Sequence, residues 1–202
     1  MDVEIEKPHA HHRTLGIPWY DLAIPIAALF VSFVSIFIAW HHGQVMKELV
    51  HQNEKLVEAN SLPYLQINGS NGNARVSFDV TNEGVGPAKI MSAEVFVDGR
   101  PVETLHQLLE ACCGKGAYSA IATSTLYGRM VRPGDGVRYI DFPLKAGNVA
   151  QVVALDKARK TNRIRTRLCY CSVFNDCWVA ESTDPTPNEV RECRPPAKPY
   201  RE

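Results

Sequence analysis

Residues 22–40 read LAIPIAALFVSFVSIFIAW, a run without a charged side chain that decides how this chain is organised. A helix needs about 20 apolar residues to cross the hydrocarbon core of a bilayer, and this run approaches that length. Trp19, Tyr20 and Trp40 bracket it, as is typical of aromatic anchors at the two membrane interfaces. The sequence therefore predicts a single-pass transmembrane helix over residues 18–42, with the lipid bilayer as its partner.

A cleaved signal peptide is the main alternative to a spanning helix. The apolar stretch of such a peptide is usually about 7 to 15 residues long and ends at a small-x-small cleavage pattern. The run in this chain is longer, and the sequence IAWHHG at residues 38–43 offers no such pattern. An uncleaved signal anchor is therefore predicted.

The orientation of this helix follows from the cysteines rather than from the flanking charges. Two cationic residues precede the helix and two closely follow it, so the charge count is tied: Lys7, Arg13, Lys47 and Lys55. All six cysteines follow the apolar run, and disulfides persist in oxidising compartments. We therefore expect the protein to lie in the cell inner (plasma) membrane. Residues 1–17 would form a short tail in the cytoplasm, and the C-terminal domain would be periplasmic or extracellular.

Length and charge narrow the class of protein. With 202 residues and one anchor, the chain has room for a single globular domain of roughly 100 to 150 residues. Lys and Arg total 22, as do Asp and Glu, so the balance predicts no nucleic-acid partner. The sequence contains no P-loop, nucleophile elbow, zinc-protease or dinucleotide motif, so we expect neither an enzyme nor a bound cofactor.

A helical stalk is predicted directly after the span, over residues 43–61. Its segment 44–60 contains neither Pro nor Gly and is rich in helix-forming residues. Four positions follow a 3-4-3 spacing that forms a narrow seam with one polar member: Met46, Leu49, Asn53 and Leu56. This seam predicts a homo-oligomer formed through the stalk. The alternative is that the seam packs on the protein's own domain.

Beyond Pro63 the pattern changes to short alternating segments separated by turns, typical of an antiparallel sheet protein. About seven strands are predicted, at residues 64–68, 75–81, 90–97, 126–131, 137–142, 163–174 and 178–181. Short helices are expected at residues 103–111 and 149–160. The predicted fold class is mainly β with one transmembrane α-helix, in which residues 62–182 form an immunoglobulin-like antiparallel β-sandwich. A small β-barrel is the alternative.

The stretch TNEGVGPAKI, residues 81–90, resembles the Asn-x-Gly-x-Gly-Pro-Ala corner of many immunoglobulin-like domains in bacterial envelope proteins. The resemblance covers ten residues, implies the fold and implies no catalytic residues. After this domain, residues 183–202 form a Pro-rich tail that we expect to lack regular structure.

One segment combines charge with thiols. In an uninterrupted strand, Arg163, Arg165 and Arg167 share a face with Cys169 and Cys171. The arginine row is a candidate face for an anionic partner, and its alternative is the solvated face of an edge strand protected by charge.

The loop at residues 172–176 would set Cys171 opposite Cys177, which predicts a disulfide across the last hairpin. Cys193 is expected to tie the tail to the domain. Cys112 or Cys113 is expected to pair with Cys193 or with Cys169, because a bond between adjacent cysteines is expected to be strained.

Three functions remain open at this stage. The first is a non-enzymatic single-pass membrane protein whose extracytoplasmic sandwich serves as an interaction or accessory module of an envelope complex, with a protein partner in the membrane or envelope. The second is a thiol redox or metal-handling membrane protein that uses Cys169, Cys171 and Cys177. The third is a sensor that passes a change in the domain through the stalk and the span, for which a cytoplasmic tail of roughly 17 residues leaves little room for an output domain.

Overall fold

The structure, a computed structural model, describes residues 19–72, 74–114 and 121–201. The predicted cytoplasmic tail, residues 1–17, and the first residue of the predicted span lie outside them. The chain divides into two compact units, residues 1–53 and 54–202. Three helices and ten strands account for the regular structure of the described residues.

The first helix, α1 (Trp19–Ala59), continues without interruption through the predicted span and most of the predicted stalk. A window within Leu22–Ala59 reaches a mean hydropathy of 2.6, so the helix is long and apolar enough to cross a membrane. The hydroxyls of Ser32 and Ser35 donate to backbone carbonyls one turn earlier, both at 2.8 Å. The helix itself therefore satisfies these polar groups, as an apolar environment requires.

The remaining elements all belong to the second unit. Its helices are α2 (Leu105–Cys113) and α3 (Val149–Lys160). Its strands, in chain order, are β1 (Leu65–Gly72), β2 (Arg75–Asn82), β3 (Ala88–Val97), β4 (Arg100–Val102), β5 (Ala122–Thr123), β6 (Met130–Val131), β7 (Gly136–Pro143), β8 (Ile164–Cys171), β9 (Cys177–Glu181) and β10 (Asp184–Val190).

These strands form two antiparallel sheets. The first has the order β1-β2-β7-β5, and the second has the order β10-β9-β8-β3-β4, with β6 also paired to β3. The described strands leave both sheets open, so the alternative of a small closed barrel is wrong. Because α1 is so long, the chain as a whole is mixed rather than mainly β, and its second unit is consistent with a β-sandwich.

The two sheets share one hydrophobic core. Two buried hydrogen bonds also join them. The hydroxyls of Tyr139 in β7 and Thr166 in β8 lie 2.8 Å apart, and the backbone N–H of Leu65 in β1 donates to the Tyr170 hydroxyl in β8 at 3.3 Å. Burial raises the pKa of Tyr170 to about 12, so this hydroxyl stays neutral inside the core.

The corner at residues 82–88 lies against the segment that follows α1. The backbone N–H groups of Val85 and Gly86 both donate to the Leu62 carbonyl at 3.0 Å. Gly86 has to be glycine here, because a Cβ at this position would collide with the backbone of Ser61. The glycines of the corner thus permit two backbone segments to pass in direct contact.

A tight hairpin joins β3 to β4, as the Asp98-Gly99 pair predicts. Both residues have positive φ, 49° and 78°, which is the conformation of a type I′ turn. Four elements differ from the predictions made above. The strand expected at residues 126–131 shrinks to β6, because Gly128 turns the chain at φ 74°. The strands β4, β5 and β10 were not predicted, and β10 shows that the expectation of an irregular tail is wrong for Asp184–Val190.

A buried carboxylate attaches α3 to the first sheet. Asp156 accepts hydrogen bonds from Asn71 at 2.7 Å and from Arg159 at 2.7 Å, and it pairs with Lys160 at 2.7 Å. Burial by itself would raise the pKa of Asp156, but the hydrogen bonds from Lys160, Arg159 and Asn71 outweigh this effect and lower the pKa to about 2.

Replacement of Gly86 by Ala is expected to lower the free energy of unfolding of the second unit by about 2 kcal/mol or more, because the added methyl group overlaps the Ser61 backbone. Gly147→Ala is the matched control, since a Cβ there meets nothing within 4 Å. Pulse proteolysis in urea measures both variants. Equal stability of the two would contradict the close approach at the corner.

Asp156 is expected to contribute about 2 kcal/mol to stability near neutral pH. Its pKa is lower in the folded protein than the ordinary value of 3.8, so the contribution is present above pH 3.8 and disappears as the pH falls towards 2. Asp156→Asn should therefore destabilise the protein at pH 7 and flatten the acid limb of its stability curve. Asp135→Asn, at an exposed turn, is the control, and an identical acid limb in both variants would refute the assignment.

Candidate functional site at the disulfide cluster

One face of β8 carries both the arginine row and two cysteines, as the alternation of the sequence predicts. Arg165 and Arg167 are exposed on this face, whereas Cys169 and Cys171 are buried. The buried Cys169, Cys171, Cys177 and Val179 nevertheless lie outside the hydrophobic core. We call this side of the second sheet, which faces away from the core, the outer face. A part of the chain other than the core must therefore cover these four residues on the outer face.

The cover is a segment of the C-terminal tail, residues 191–199, which we call the strap. It begins after Val190, which pairs with Cys177 at the edge strand β10, and it is bonded through Cys193 to Cys169 in β8. Beyond the strap, the backbone N–H of Tyr200 donates to the Ala93 carbonyl in β3 at 2.8 Å. The strap therefore crosses the outer face from β10 to β3.

The end of the tail also enters the core. The side chain of Tyr200 is 2% exposed and belongs to the core cluster. It lies beside β3 between the residues paired with β6 and those paired with β4, an interval of the β3 edge to which none of the described strands is paired. The Arg201 N–H then donates to the Glu103 carbonyl at 3.0 Å. Most of the tail that the sequence analysis expects to be irregular is thus a structural part of the second unit.

Three disulfides account for all six cysteines. Cys171 is bonded to Cys177 across the β8–β9 hairpin, with Cα atoms 4.0 Å apart, which is the pairing that the hairpin loop predicts. Cys193 ties the tail to Cys169, with Cα atoms 5.6 Å apart. The remaining bond joins the neighbours Cys112 and Cys113.

The expectation that Cys112 or Cys113 pairs with Cys193 or Cys169 is therefore wrong. The physical reason is position: Cys112 lies in α2 and packs in the hydrophobic core, whereas Cys169 faces the strap on the opposite side of the second sheet. No spacing in the sequence indicates this separation.

The arginine row lies in the interior of its sheet, because β8 is paired with β3 on one side and with β9 on the other. The edge-strand interpretation is therefore wrong. Arg163 makes two hydrogen bonds to the Asp98 carboxylate, at 2.8 and 2.6 Å. This guanidinium holds the pKa of Asp98 below its ordinary value. The Nε atom of Arg167 lies 3.4 Å from Oε1 of Glu181. Acidic neighbours thus offset much of the charge that was predicted to attract an anionic partner.

A cavity of about 570 Å³ lies between the strap and the outer face. Its walls carry both signs of charge, with Arg167 and Glu94 on the sheet and Arg191, Glu192 and Arg194 on the strap. The cavity reaches the disulfide at Cys169. It is therefore a polar space with a sulfur atom in its wall.

A second depression, the cleft, lies on the other side of the strap and has a volume of about 370 Å³. Its lining is mostly apolar, with Met91 and Tyr127 on one side and Pro195, Pro196 and Pro199 on the other. The Tyr127 side chain is 67% exposed. The cleft therefore presents an aromatic ring and proline rings to solvent side by side.

The sulfur atoms of Cys171, Cys177 and Cys193 lie within 4.8 Å of one another, which is a distance that a metal ion could bridge. Metal ions bind the thiolate form, and the disulfides present here offer none. The sequence predicts metal handling at Cys169, Cys171 and Cys177, whereas the sulfur atoms grouped here include Cys193 in place of Cys169. Metal handling stays a prediction, and it applies only to the reduced protein.

The residues predicted to contact membrane or a second copy of the chain are all on α1. Trp19 and Trp40 are exposed, and the side chain of Tyr20 lies outside the described residues. The seam residues are also exposed, among them Met46, Leu49 and Leu56. Asn53 is exposed as well. Self-association through this seam stays a prediction.

Loss of the strap disulfide is expected to be costly, because the Cys169–Cys193 bond spans a sequence separation of 24 residues. The chain-entropy estimate for a loop of this size is about 3 kcal/mol. The double variant Cys169→Ser/Cys193→Ser should unfold at correspondingly lower urea and be cut faster by trypsin after Arg191. Cys112→Ser/Cys113→Ser is the matched control, since that bond closes almost no loop. A strap equally protected in both variants would show that the disulfide does not hold it.

Comparison with known proteins gives no match, either to a protein-family model or to a curated protein sequence. A function for this chain is therefore inferred from its own surfaces.

Proposed function

We propose that this chain is a non-enzymatic, single-pass membrane protein whose extracytoplasmic domain, an immunoglobulin-like sandwich, binds a protein partner as an accessory module of an envelope complex. The N-terminal tail lies in the cytoplasm and the second unit lies in the periplasm or outside the cell. The observation that carries the proposal is the apolar cleft between β3, Tyr127 and the proline residues of the strap.

Two features support the location. The apolar part of α1 has the length and composition of a membrane span. All six cysteines lie in the second unit and are paired in disulfides, which persist in an oxidising compartment and are rare in the cytosol. Together they favour a signal anchor with the disulfide-bonded unit on the outside.

Two features of the cleft support a protein partner. Tyr127 supplies a large apolar ring with a polar tip, a combination that is enriched at the centre of protein interfaces. Pro195, Pro196 and Pro199 have fixed backbone angles, so little conformational entropy is lost when a partner covers them. The flanking Cys169–Cys193 bond holds this wall in place before the partner arrives.

The exposed stalk seam fits the same role. Met46, Leu49, Asn53 and Leu56 lie on consecutive turns of a helix that shows no break. A polar Asn within such a seam favours one register of association. A dimer through the stalk would present two copies of the cleft to a partner and increase the strength of binding through multivalency.

Placement of a photo-crosslinking amino acid at Tyr127 in the full-length protein, in its own membrane, tests this function. We expect one discrete adduct with a membrane or envelope protein, identified by mass spectrometry. The control is the same amino acid at Val153 on α3, which is 61% exposed and lies outside the cleft.

The adduct should be lost when Thr125→Glu places a charge in the cleft wall, while the purified variant keeps the thermal stability of the wild type. Labelling at Val153 that equals labelling at Tyr127, or an adduct insensitive to Thr125→Glu, would rule out the cleft as the binding surface.

A further inference from the structure

Four sulfur atoms form a single cluster on the outer face, although they belong to two separate disulfides. The Sγ atoms of Cys171 and Cys193 lie 3.6 Å apart, and these two residues are not bonded to each other. Cys177 Sγ lies within 4.8 Å of both. Cys193 is bonded to Cys169 and Cys171 is bonded to Cys177, so each disulfide has a sulfur of the other as a close neighbour.

The four cysteines differ in how easily an external thiol reaches them. Cys169, Cys171 and Cys177 are buried, with 8%, 7% and 5% of their surface exposed. Cys193, on the strap, is only partly buried. An attacking thiol therefore meets Cys193 first, at the position from which Cys171 is in reach.

We propose that Cys169, Cys171, Cys177 and Cys193 form a thiol–disulfide exchange relay, in which Cys193 transfers its bond from Cys169 to Cys171 when the domain meets a dithiol reductant. This activity is independent of the interaction role proposed above. It rests on the close approach of the two disulfides and on the partial exposure of Cys193.

The first step consumes one dithiol. A thiolate of the reductant attacks Cys193 Sγ, the Cys169–Cys193 bond breaks, and Cys169 leaves as a thiolate that takes up a proton. The second thiol of the reductant then attacks its own sulfur in the mixed disulfide and releases Cys193 as a thiolate. The reductant has become a disulfide, and two electrons have entered the protein.

The second step is an exchange within the protein and needs no further electrons. Once freed from Cys169, the Cys193 side chain rotates into line with the Cys171–Cys177 bond, and its thiolate attacks Cys171 Sγ, which lies 3.6 Å from Cys193 Sγ in the fully disulfide-bonded protein. A Cys171–Cys193 bond forms, the Cys171–Cys177 bond breaks, and Cys177 leaves as a thiolate and is protonated. The product carries one disulfide, Cys171–Cys193, and two thiols, at Cys169 and Cys177.

The two steps together move the covalent attachment of the strap from Cys169 to Cys171. Cys169 and Cys171 are two residues apart on β8, which corresponds to about 7 Å along a strand. In the product the strap is bonded to the sheet nearer the β8–β9 hairpin, and the hairpin loses its own disulfide. Electrons that enter at the partly buried Cys193 thus appear at the buried Cys177.

The test uses the full-length protein in detergent, in a Cys112→Ser/Cys113→Ser background so that only four cysteines remain. One molar equivalent of dithiothreitol is added, thiols are alkylated, and disulfide-linked peptides are mapped without reduction after cleavage by trypsin and chymotrypsin. We expect a Cys171–Cys193 linkage, absent before treatment, together with alkylation at Cys169 and Cys177. Alkylation at Cys169 and Cys193 with the Cys171–Cys177 bond intact would overturn the relay.

A second variant tests the exchange without added reductant. Cys177→Ser leaves the Cys171 thiol beside the Cys169–Cys193 bond, so the two linkages Cys169–Cys193 and Cys171–Cys193 should appear in comparable amounts. Detection of Cys169–Cys193 alone, with Cys171 fully alkylated, would overturn the relay. Cys171→Ser is the matched control, because it removes the acceptor sulfur, and mapping should then find no linkage between Cys193 and the hairpin.

Discussion

The side chain of Asn82 fixes the arrangement on which the second unit depends. This residue is fully buried, and its amide group makes four hydrogen bonds. The amide nitrogen donates to the carbonyls of Gly86 and Val131, at 2.8 and 3.0 Å, and the amide oxygen accepts from the N–H groups of Tyr64 and Gly84, at 3.1 and 3.0 Å. One side chain therefore joins the segment after α1, the corner before β3 and the end of β6. A buried polar group without a hydrogen-bond partner lowers the stability of the folded state, so the arrangement in which all four hydrogen bonds form is strongly preferred over any other.

The end of the C-terminal tail occupies part of the edge of β3, the strand that follows this corner. β3 has β4 along one part of its edge and β6 along another, and Tyr200 fills the interval with its ring and its N–H group. Pro195, Pro196 and Pro199 cannot donate to a ladder, which explains why the tail crosses the sheet as a strap and not as a further strand. The Cys193–Cys169 bond supplies the attachment that the missing backbone hydrogen bonds do not.

Local patterns in the sequence predict the elements whose structure is locally determined. The apolar run predicts α1, the dipeptide Asp98-Gly99 predicts the β3–β4 hairpin, and helix-forming composition predicts α3 at residues 149–160. The tail is different, because its place depends on contacts with residues far away in the chain. Nothing near Tyr200 indicates that it packs against β3, so a Pro-rich composition predicts an irregular tail where the structure has a strand and a strap. For the same reason, the spacing of Cys169 and Cys193 in the sequence does not predict that they form a disulfide.

The strap also connects the two surfaces on which function is proposed. Pro195 and Pro196 line the polar cavity beside the disulfide and, with Ser92, the apolar cleft beside Tyr127. A movement of Pro195 and Pro196 would therefore change the shape of both the cavity and the cleft. The Sγ atom of Cys193 already lies 3.6 Å from that of Cys171, so the proposed exchange needs only a small movement of the strap. It would nevertheless take place in the segment of chain that borders both the cavity and the cleft.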